Sequence, residues 1–254
     1  MIEKQAFNIL LYAMIGTALI IAISLTFITA PYGRHAKKGW GPLVNDRLGW
    51  VLMEAPASLL FLMYFLLSDR SGDMVMIVFL LIWQAHYFHR TFIFPFTLRP
   101  DSGMPFSIMF FGIIFNAFNT FIQGTWLYFL APAEMYTKVW LTDPRFIIGV
   151  IIFFTGFVIN KHADAVLRSL RAPDDKEYKI PYGGLYRFIS CPNYFGEMVT
   201  WLGWAVLTWS LAGGVFFIWT VANLAPRARS NHQWYLDNFS DYPGERKALI
   251  PFIF

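Results

Sequence analysis

The sequence predicts an all-α integral membrane protein of seven transmembrane helices, with the N-terminus outside and the C-terminus cytosolic. Three observations lead there. Hydrophobic residues make up 57% of the chain and charged residues 14%, whereas soluble domains average about 45–50% and about 25%, so there is too little charge to cover a globule. Seven stretches approach the roughly 20 apolar residues that a helix needs to cross a bilayer, where backbone groups must satisfy one another. Sixteen of the twenty Lys and Arg residues fall on one side of the resulting arrangement, which the positive-inside tendency makes cytosolic. The same composition excludes a soluble globular enzyme and a disordered chain. A single cysteine, Cys191, excludes an internal disulfide and a thiolate-held zinc or iron–sulfur cluster.

The first span covers residues 7–30, too long for the apolar region of a signal peptide. The second covers 48–67, the third 73 to about 95, and the fourth 104–130. The fifth runs from 145 to about 170, and its last two turns carry Lys161, His162, Asp164 and Arg168. The sixth covers 194–211, and the seventh starts at Gly213 and leaves the membrane near Pro226. Ala212-Gly213-Gly214 reads as a turn so short that the last two helices must be antiparallel neighbours. Residues 174–191, with Pro181 and Gly183-Gly184, read as a cytosolic surface loop with short helical pieces. No internal repeat is present, and the whole of 1–254 reads as one membrane domain.

Polar residues inside such spans are costly, about 2.5–3.5 kcal/mol for a charge at mid-bilayer, and so need a partner or a cavity. Glu54 stands in the second span two residues before Pro56. It is either a polar bridge between helices or a site residue, and a carboxyl buried there is expected to be protonated and able to donate a hydrogen bond. In Gln84-Ala85-His86-Tyr87-Phe88-His89-Arg90 the spacing puts His86, Tyr87 and Arg90 on one helical face. A lone tyrosine at a membrane boundary is an anchor, but this density of polar groups exceeds what anchoring requires. Asn116, Asn119 and Gln123 share a face of the fourth span, where interhelical hydrogen bonding is a sufficient account.

On the cytosolic side Asn160, Asp164 and Arg168 form one stripe and Arg227, Asn231 and Tyr235 another. Pro192-Asn193 reads as a helix start, whose backbone N–H groups favour an anion. The basic face is accounted for equally by the topology rule, by anionic lipid or by an anionic ligand. No strand-borne Gly-x-Gly-x-x-Gly and no Gly-Lys-Ser/Thr occur, so a Rossmann or P-loop site is excluded. Metal and nucleic acid are not expected.

Several stretches are specific. They are Asn160-Lys161-His162-Ala163-Asp164, Tyr178-Lys179-Ile180-Pro181-Tyr182-Gly183-Gly184-Leu185, Pro192-Asn193-Tyr194-Phe195-Gly196-Glu197, Trp201-Leu202-Gly203 and Asp241-Tyr242-Pro243 through Phe252. With Glu54-Ala55-Pro56 and His86 through Phe92, they resemble the steroid 5α-reductase family over nearly the whole chain. The resemblance implies a seven-helix membrane enzyme, a monomer, that reduces the 4,5 double bond of a 3-oxo-Δ4 steroid with NADPH, hydride going to C5 and a proton to C4. It implies a steroid end among the first four helices, entered from the lipid, and a cytosolic NADPH half mainly from 145–254. Glu54 and Tyr87 are then the catalytic pair on the C3 carbonyl. Cofactor contacts fall on Arg90, Asn160, Asp164, Arg168, Arg171, Tyr178, Asn193, Glu197, Arg227 and Tyr235, and Gly183 and Gly196 match positions of close backbone approach. Asn231 stands where animal members often carry a histidine, with His232 beside it, and the loop after Arg99 differs in length from theirs.

The chemistry is consistent with that expectation. An enone accepts hydride only when its carbonyl oxygen can take up negative charge, and two donors in a dry pocket stabilise it. Alternatives of similar build are a sterol reductase acting on another double bond and an isoprenylcysteine-type methyltransferase, whose cofactor carries no phosphate to match the arginines. A transporter or receptor requires ionisable groups on both sides of the midplane, and the external loops carry few. The multi-pass chain suits a bacterial inner membrane or the endoplasmic reticulum.

Overall fold

The computed structural model describes residues 3–31, 33–35, 37–98, 103–170 and 177–254. Arg171 and the loop residues directly after Leu98 lie outside the described residues. The chain packs as two units, Met1–Leu11 with Ala30–Asp143, and Tyr12–Thr29 with Pro144–Phe254. Helix α1 (Lys4–Phe27) gives its first turns to one and the rest to the other.

In the first unit, α2 (Asp46–Leu66) begins where Asn45 Oδ1 accepts from the Leu48 N–H at 3.2 Å, meeting one of the helix's orphan donors. Helix α3 (Met74–Phe88) passes into a π-turn, His89–Ile93, and then into the single turn α4 (Phe94–Thr97). The sequence predicted one unbroken helix here. The π-turn inserts an extra residue per turn, so Arg90 leaves the simple register that spacing assigned it, and such insertions are frequent at functional sites. Helix α5 (Phe106–Thr125) ends in a second π-turn, Trp126–Leu130. Strands β1 (Leu43–Val44) and β2 (Met104–Pro105) pair antiparallel, and Gly103 N–H donates to Asp46 Oδ2 at 3.1 Å, joining the starts of α2 and α5. Phe61 stacks on Trp83 at 4.5 Å at the centre of this unit, and both are fully buried.

In the second unit, α6 (Pro144–Ser169), α7 (Pro192–Thr208) and α8 (Leu211–Asn238) follow one another. Lipid is as apolar as Leu, so helices in a membrane associate through close packing rather than the hydrophobic effect. Glycines supply that packing here. A Cβ on Gly196 would lie 2.5 Å from Asn160 N, and one on Gly156 would collide with Thr200 N and Gly196 O. Gly149 and Gly203 meet Leu207 and Phe153 backbone in the same way. At Gly183 nothing among the described residues lies within 4 Å of an added Cβ, and its φ of +94° is what calls for glycine.

The turn between α7 and α8 also differs. It is Trp209-Ser210, with Trp209 left-handed at φ 45° and Ser210 Oγ accepting from Gly213 N–H at 3.0 Å. Ala212 to Gly214 are already helical, and Gly213 is there because a Cβ would lie 2.9 Å from Ala205 Cα. Before α7 the described loop has no regular helix or strand apart from a 3₁₀ turn at Gly184–Arg187. The C-terminal tail lies beside it: Lys247 N–H donates to Phe188 O at 2.9 Å and Ser190 N–H to Lys247 O at 2.8 Å. Among the described residues four helical segments are long and apolar enough to cross a membrane: Lys4–Phe27, Asp46–Leu66, Phe106–Leu130 and Pro144–Ser169.

Candidate active site

Pro56 lacks an N–H, so the α2 turn that carries Glu54 loses a helical hydrogen bond. Donors arrive there from other elements. Asn116 Nδ2 on α5 donates to Met53 O at 2.7 Å and to Glu54 Oε2 at 3.1 Å. Arg90 Nε, from the π-turn, donates to Glu54 Oε1 at 3.3 Å. Glu54 is 6% exposed, and these bonds reach both of its oxygens in a setting where an unpartnered carboxylate would cost several kcal/mol. The guanidinium itself is held over two rings, with Arg90 Cζ 4.7 Å from the Trp50 centroid and 5.1 Å from that of Phe94. Such cation–π contacts are worth about 0.5–2 kcal/mol each.

Tyr87, 3% exposed, sits on the last turn of α3 with its ring 4.7 Å from Trp83 and edge-on to His86 at 5.0 Å. Trp83 is fixed in turn by its indole N–H donating to Ala57 O at 2.8 Å. Ser58 Oγ donates to Gln84 Oε1 at 2.7 Å, and Gln84 Nε2 donates back to Ser58 O at 2.8 Å. The tyrosine ring is thus fixed by neighbours that are themselves bonded to α2.

The second unit carries a separate polar ladder between α6 and α7. Asn160 Nδ2 donates to Asn193 O at 2.9 Å and Glu197 Oε2 at 3.2 Å, and Trp201 Nε1 donates to Glu197 Oε1 at 2.9 Å. Asn193 Nδ2 donates to Asp164 Oδ1 at 3.4 Å. On α8, Arg227 lies over the Tyr194 ring at 5.6 Å and Asn231 Nδ2 donates to Tyr194 OH at 3.4 Å. Tyr235 is buried in a stack on Tyr242 at 5.0 Å, and Tyr178 meets Trp234 edge-on at 5.0 Å. Arg246, 3% exposed, stands over the rings of Tyr182 and Tyr242 at 4.9 and 5.1 Å and donates to Pro181 O at 3.0 Å. Ser190 Oγ shares hydrogen bonds with His232 Nδ1 at 2.6 Å and Tyr242 OH at 2.7 Å. Burial, and then the charge of Lys247, hold the His232 pKa below its ordinary value.

A family model described as 3-oxo-5-alpha-steroid 4-dehydrogenase matches residues 102–254. The chain is 42% identical over 260 residues to steroid 5-alpha-reductase DET2 of Gossypium hirsutum, covering 99% of both chains. The chain belongs to the steroid 5α-reductase family. It is also 39% identical over 260 residues to steroid 5-alpha-reductase DET2 of Arabidopsis thaliana, covering 99% of this chain and 98% of that one. It is 40% identical over 226 residues to 3-oxo-5-alpha-steroid 4-dehydrogenase 1 of Homo sapiens, covering 88% of this chain and 86% of that one. Membership makes the chain an oxidoreductase of steroid metabolism, and its long apolar helices make it a membrane protein.

Within this family member, the expected residues fall into two groups. Glu54, Tyr87 and Arg90 belong to the first unit, where Arg90, expected at the cofactor, is bonded to Glu54. Asn160, Asp164, Asn193 and Glu197 form one connected ladder in the second unit, while Arg227, Tyr178 and Tyr235 join aromatic neighbours and Arg168 is exposed at the end of α6. Trp50, Trp201 and Arg246 are among the participants that carried no assigned role in the sequence reading. Trp201 had a signal, since it follows Glu197 by one helical turn. Trp50 had none, because its partner Arg90 is remote in sequence, and the contacts of Arg246 with Pro181 and Tyr182 are remote too.

The donors and acceptors of the second unit fit a ligand such as NADPH, which brings both amide and anionic groups. Asn160 Oδ1 is buried with no hydrogen-bond partner among the described residues. Arg227 and Arg246 rest on tyrosine rings rather than on carboxylates.

Proposed function

We propose that this chain reduces the 4,5 double bond of 3-oxo-Δ4 steroids with NADPH, hydride going to C5 and a proton to C4. The observation that carries the reading is the buried Glu54 hub on apolar helices, in the same unit as a tyrosine whose ring is locked by packing. Negative charge grows on the C3 oxygen as the enone is reduced, and fixed donors in a dry site stabilise it without reorganising. Tyr87 O–H is one such donor. Glu54 in its protonated form is the second, its acid O–H donating to the ketone. NADPH, when bound, supplies the hydride. Arg90, Asn160, Asp164, Arg168, Arg171, Tyr178, Asn193, Glu197, Arg227 and Tyr235 would hold it, the arginines at its phosphates through charge-assisted hydrogen bonds.

The proposal includes seven spans, an external N-terminus and a cytosolic C-terminus, supported by the sixteen cations on one side. The chain acts as a monomer, taking steroid from the lipid and cofactor from the cytosol. Incubating the purified protein with NADPH and a 3-oxo-Δ4 steroid should deplete the nicotinamide absorbance and yield the 5α-3-oxosteroid. No steroid-dependent depletion by folded protein would sink the assignment. A reporter fused after Phe254 should respond as cytosolic, and an external response would reverse the topology.

A further inference from the structure

We infer that Asn116 is a positioning residue for catalysis, an amide that references the Glu54 carboxyl to the backbone of α2. The inference rests on the reading of Glu54 as a group that acts on the ketone. The amide's orientation is not arbitrary. Met53 O, 2.7 Å from Asn116 Nδ2, can only accept, so the nitrogen and not the oxygen must face it. The second N–H of the same nitrogen then meets Glu54 Oε2 at 3.1 Å.

Glu54 has three rotatable side-chain bonds, and one contact does not fix the plane of its carboxyl. Asn116 and Arg90 hold one oxygen each, and two donors on two oxygens do define the plane. The two differ in kind. Arg90 reaches in on a long side chain braced by Trp50 and Phe94. Asn116 is a short, buried side chain on α5 that bridges consecutive residues of α2. A tie between helices would be complete with the Met53 carbonyl alone. The extra bond to the carboxyl is what a positioning role requires, since catalytic groups depend on partners that lock their geometry.

The test is a double-mutant cycle in the full-length protein. Turnover, both KM values and melting temperature are measured for Asn116→Ala, Asn116→Asp, Glu54→Gln and the combined variants. Asn116→Ala should lower kcat by about 10–100-fold, the size of effect seen when groups that orient functional ligands are removed, with the KM for NADPH unchanged. Asn116→Asp, nearly isosteric but without the donor, should lose at least as much. In the Glu54→Gln background Asn116→Ala should cost less than about threefold, because residues acting as a unit are non-additive.

An equal loss in both backgrounds assigns Asn116 to a helix tie and overturns the inference, as does full turnover in Asn116→Asp. Wild-type turnover in Glu54→Gln alone removes the reading of Glu54, whatever Asn116 costs. Should Asn116→Ala not fold, Asn116→Ser, which keeps one donor for the Met53 carbonyl and gives up the carboxyl, carries the same cycle with the same expected coupling.

Discussion

Around Glu54 an amide and a guanidinium, the latter braced by two aromatic rings, converge on one carboxyl, whereas between α6 and α7 the polar groups are strung along a ladder of Asn160, Glu197, Asn193 and Asp164. The first arrangement concentrates several contacts on one atom group, as acting on a single substrate atom requires. The second spreads donors and acceptors over about one turn of each of two helices, which suits an extended ligand held at many points. Removing one member should therefore be abrupt in the first unit and graded in the second.

The largest expected effect tests the first unit. Tyr87→Phe keeps the packed ring and deletes one donor, which by comparison with a lost oxyanion-hole group costs about 2.7–4 kcal/mol of barrier, roughly 10²–10³ in turnover. Steady-state kinetics on folded variant decide it, and unimpaired turnover would dissolve the contrast between the units. Next comes Arg227→Ala. It removes charge-assisted hydrogen bonds worth about 1.5–3 kcal/mol each, so the KM for NADPH should rise about tenfold or more while that for steroid holds. A change in the steroid KM alone would move Arg227 out of the ladder's company.

Gly156→Ala probes the scaffold under the ladder. The added methyl meets Thr200 N and Gly196 O, and overpacking of this kind costs about 1–3 kcal/mol, read as a lower melting temperature in detergent. Gly16→Ala on α1, with nothing within 4 Å of the new Cβ, is the control and should not destabilise. The smallest effect belongs to His232. Its pKa is depressed by burial and by Lys247, so the unfolded chain takes up the proton more readily. The stabilising contribution is complete above the unfolded value of about 6.5 and is lost as pH falls through the folded one. Acidification should lower the melting temperature slightly, and His232→Asn should flatten that slope.

The helices were legible because apolar runs of bilayer length leave little choice, and α7 was legible from Pro192 onward because proline suits the first helical turn. What escaped was set by tertiary geometry. Gly213 and Gly214 looked like a turn, yet Gly213 packs against Ala205 and the turn fell on Trp209, a residue that propensity would not choose for a left-handed conformation. The partnership of Glu54 with Arg90 spans 36 positions and a π-turn, and no local spacing rule reaches across either. Polarity marked Glu54, Arg90 and Asn116 one by one, but their convergence appears only when α2, α5 and the π-turn are brought together.

The glycines of α6 and α7 recur at seven-residue intervals, Gly149 and Gly156 facing Gly203 and Gly196. Seven residues are about two helical turns, so both pairs mesh at once, as teeth on two racks do. Sliding one helix past the other by a single residue would bring side chains against backbone at both contacts together, and a full turn would mesh neither pair. The rungs Asn160–Asn193 and Asn160–Glu197 therefore inherit their alignment from residues that carry no polar side chain at all. Rearrangement within this unit must then come from the elements around this pair, while α6 and α7 move as one body.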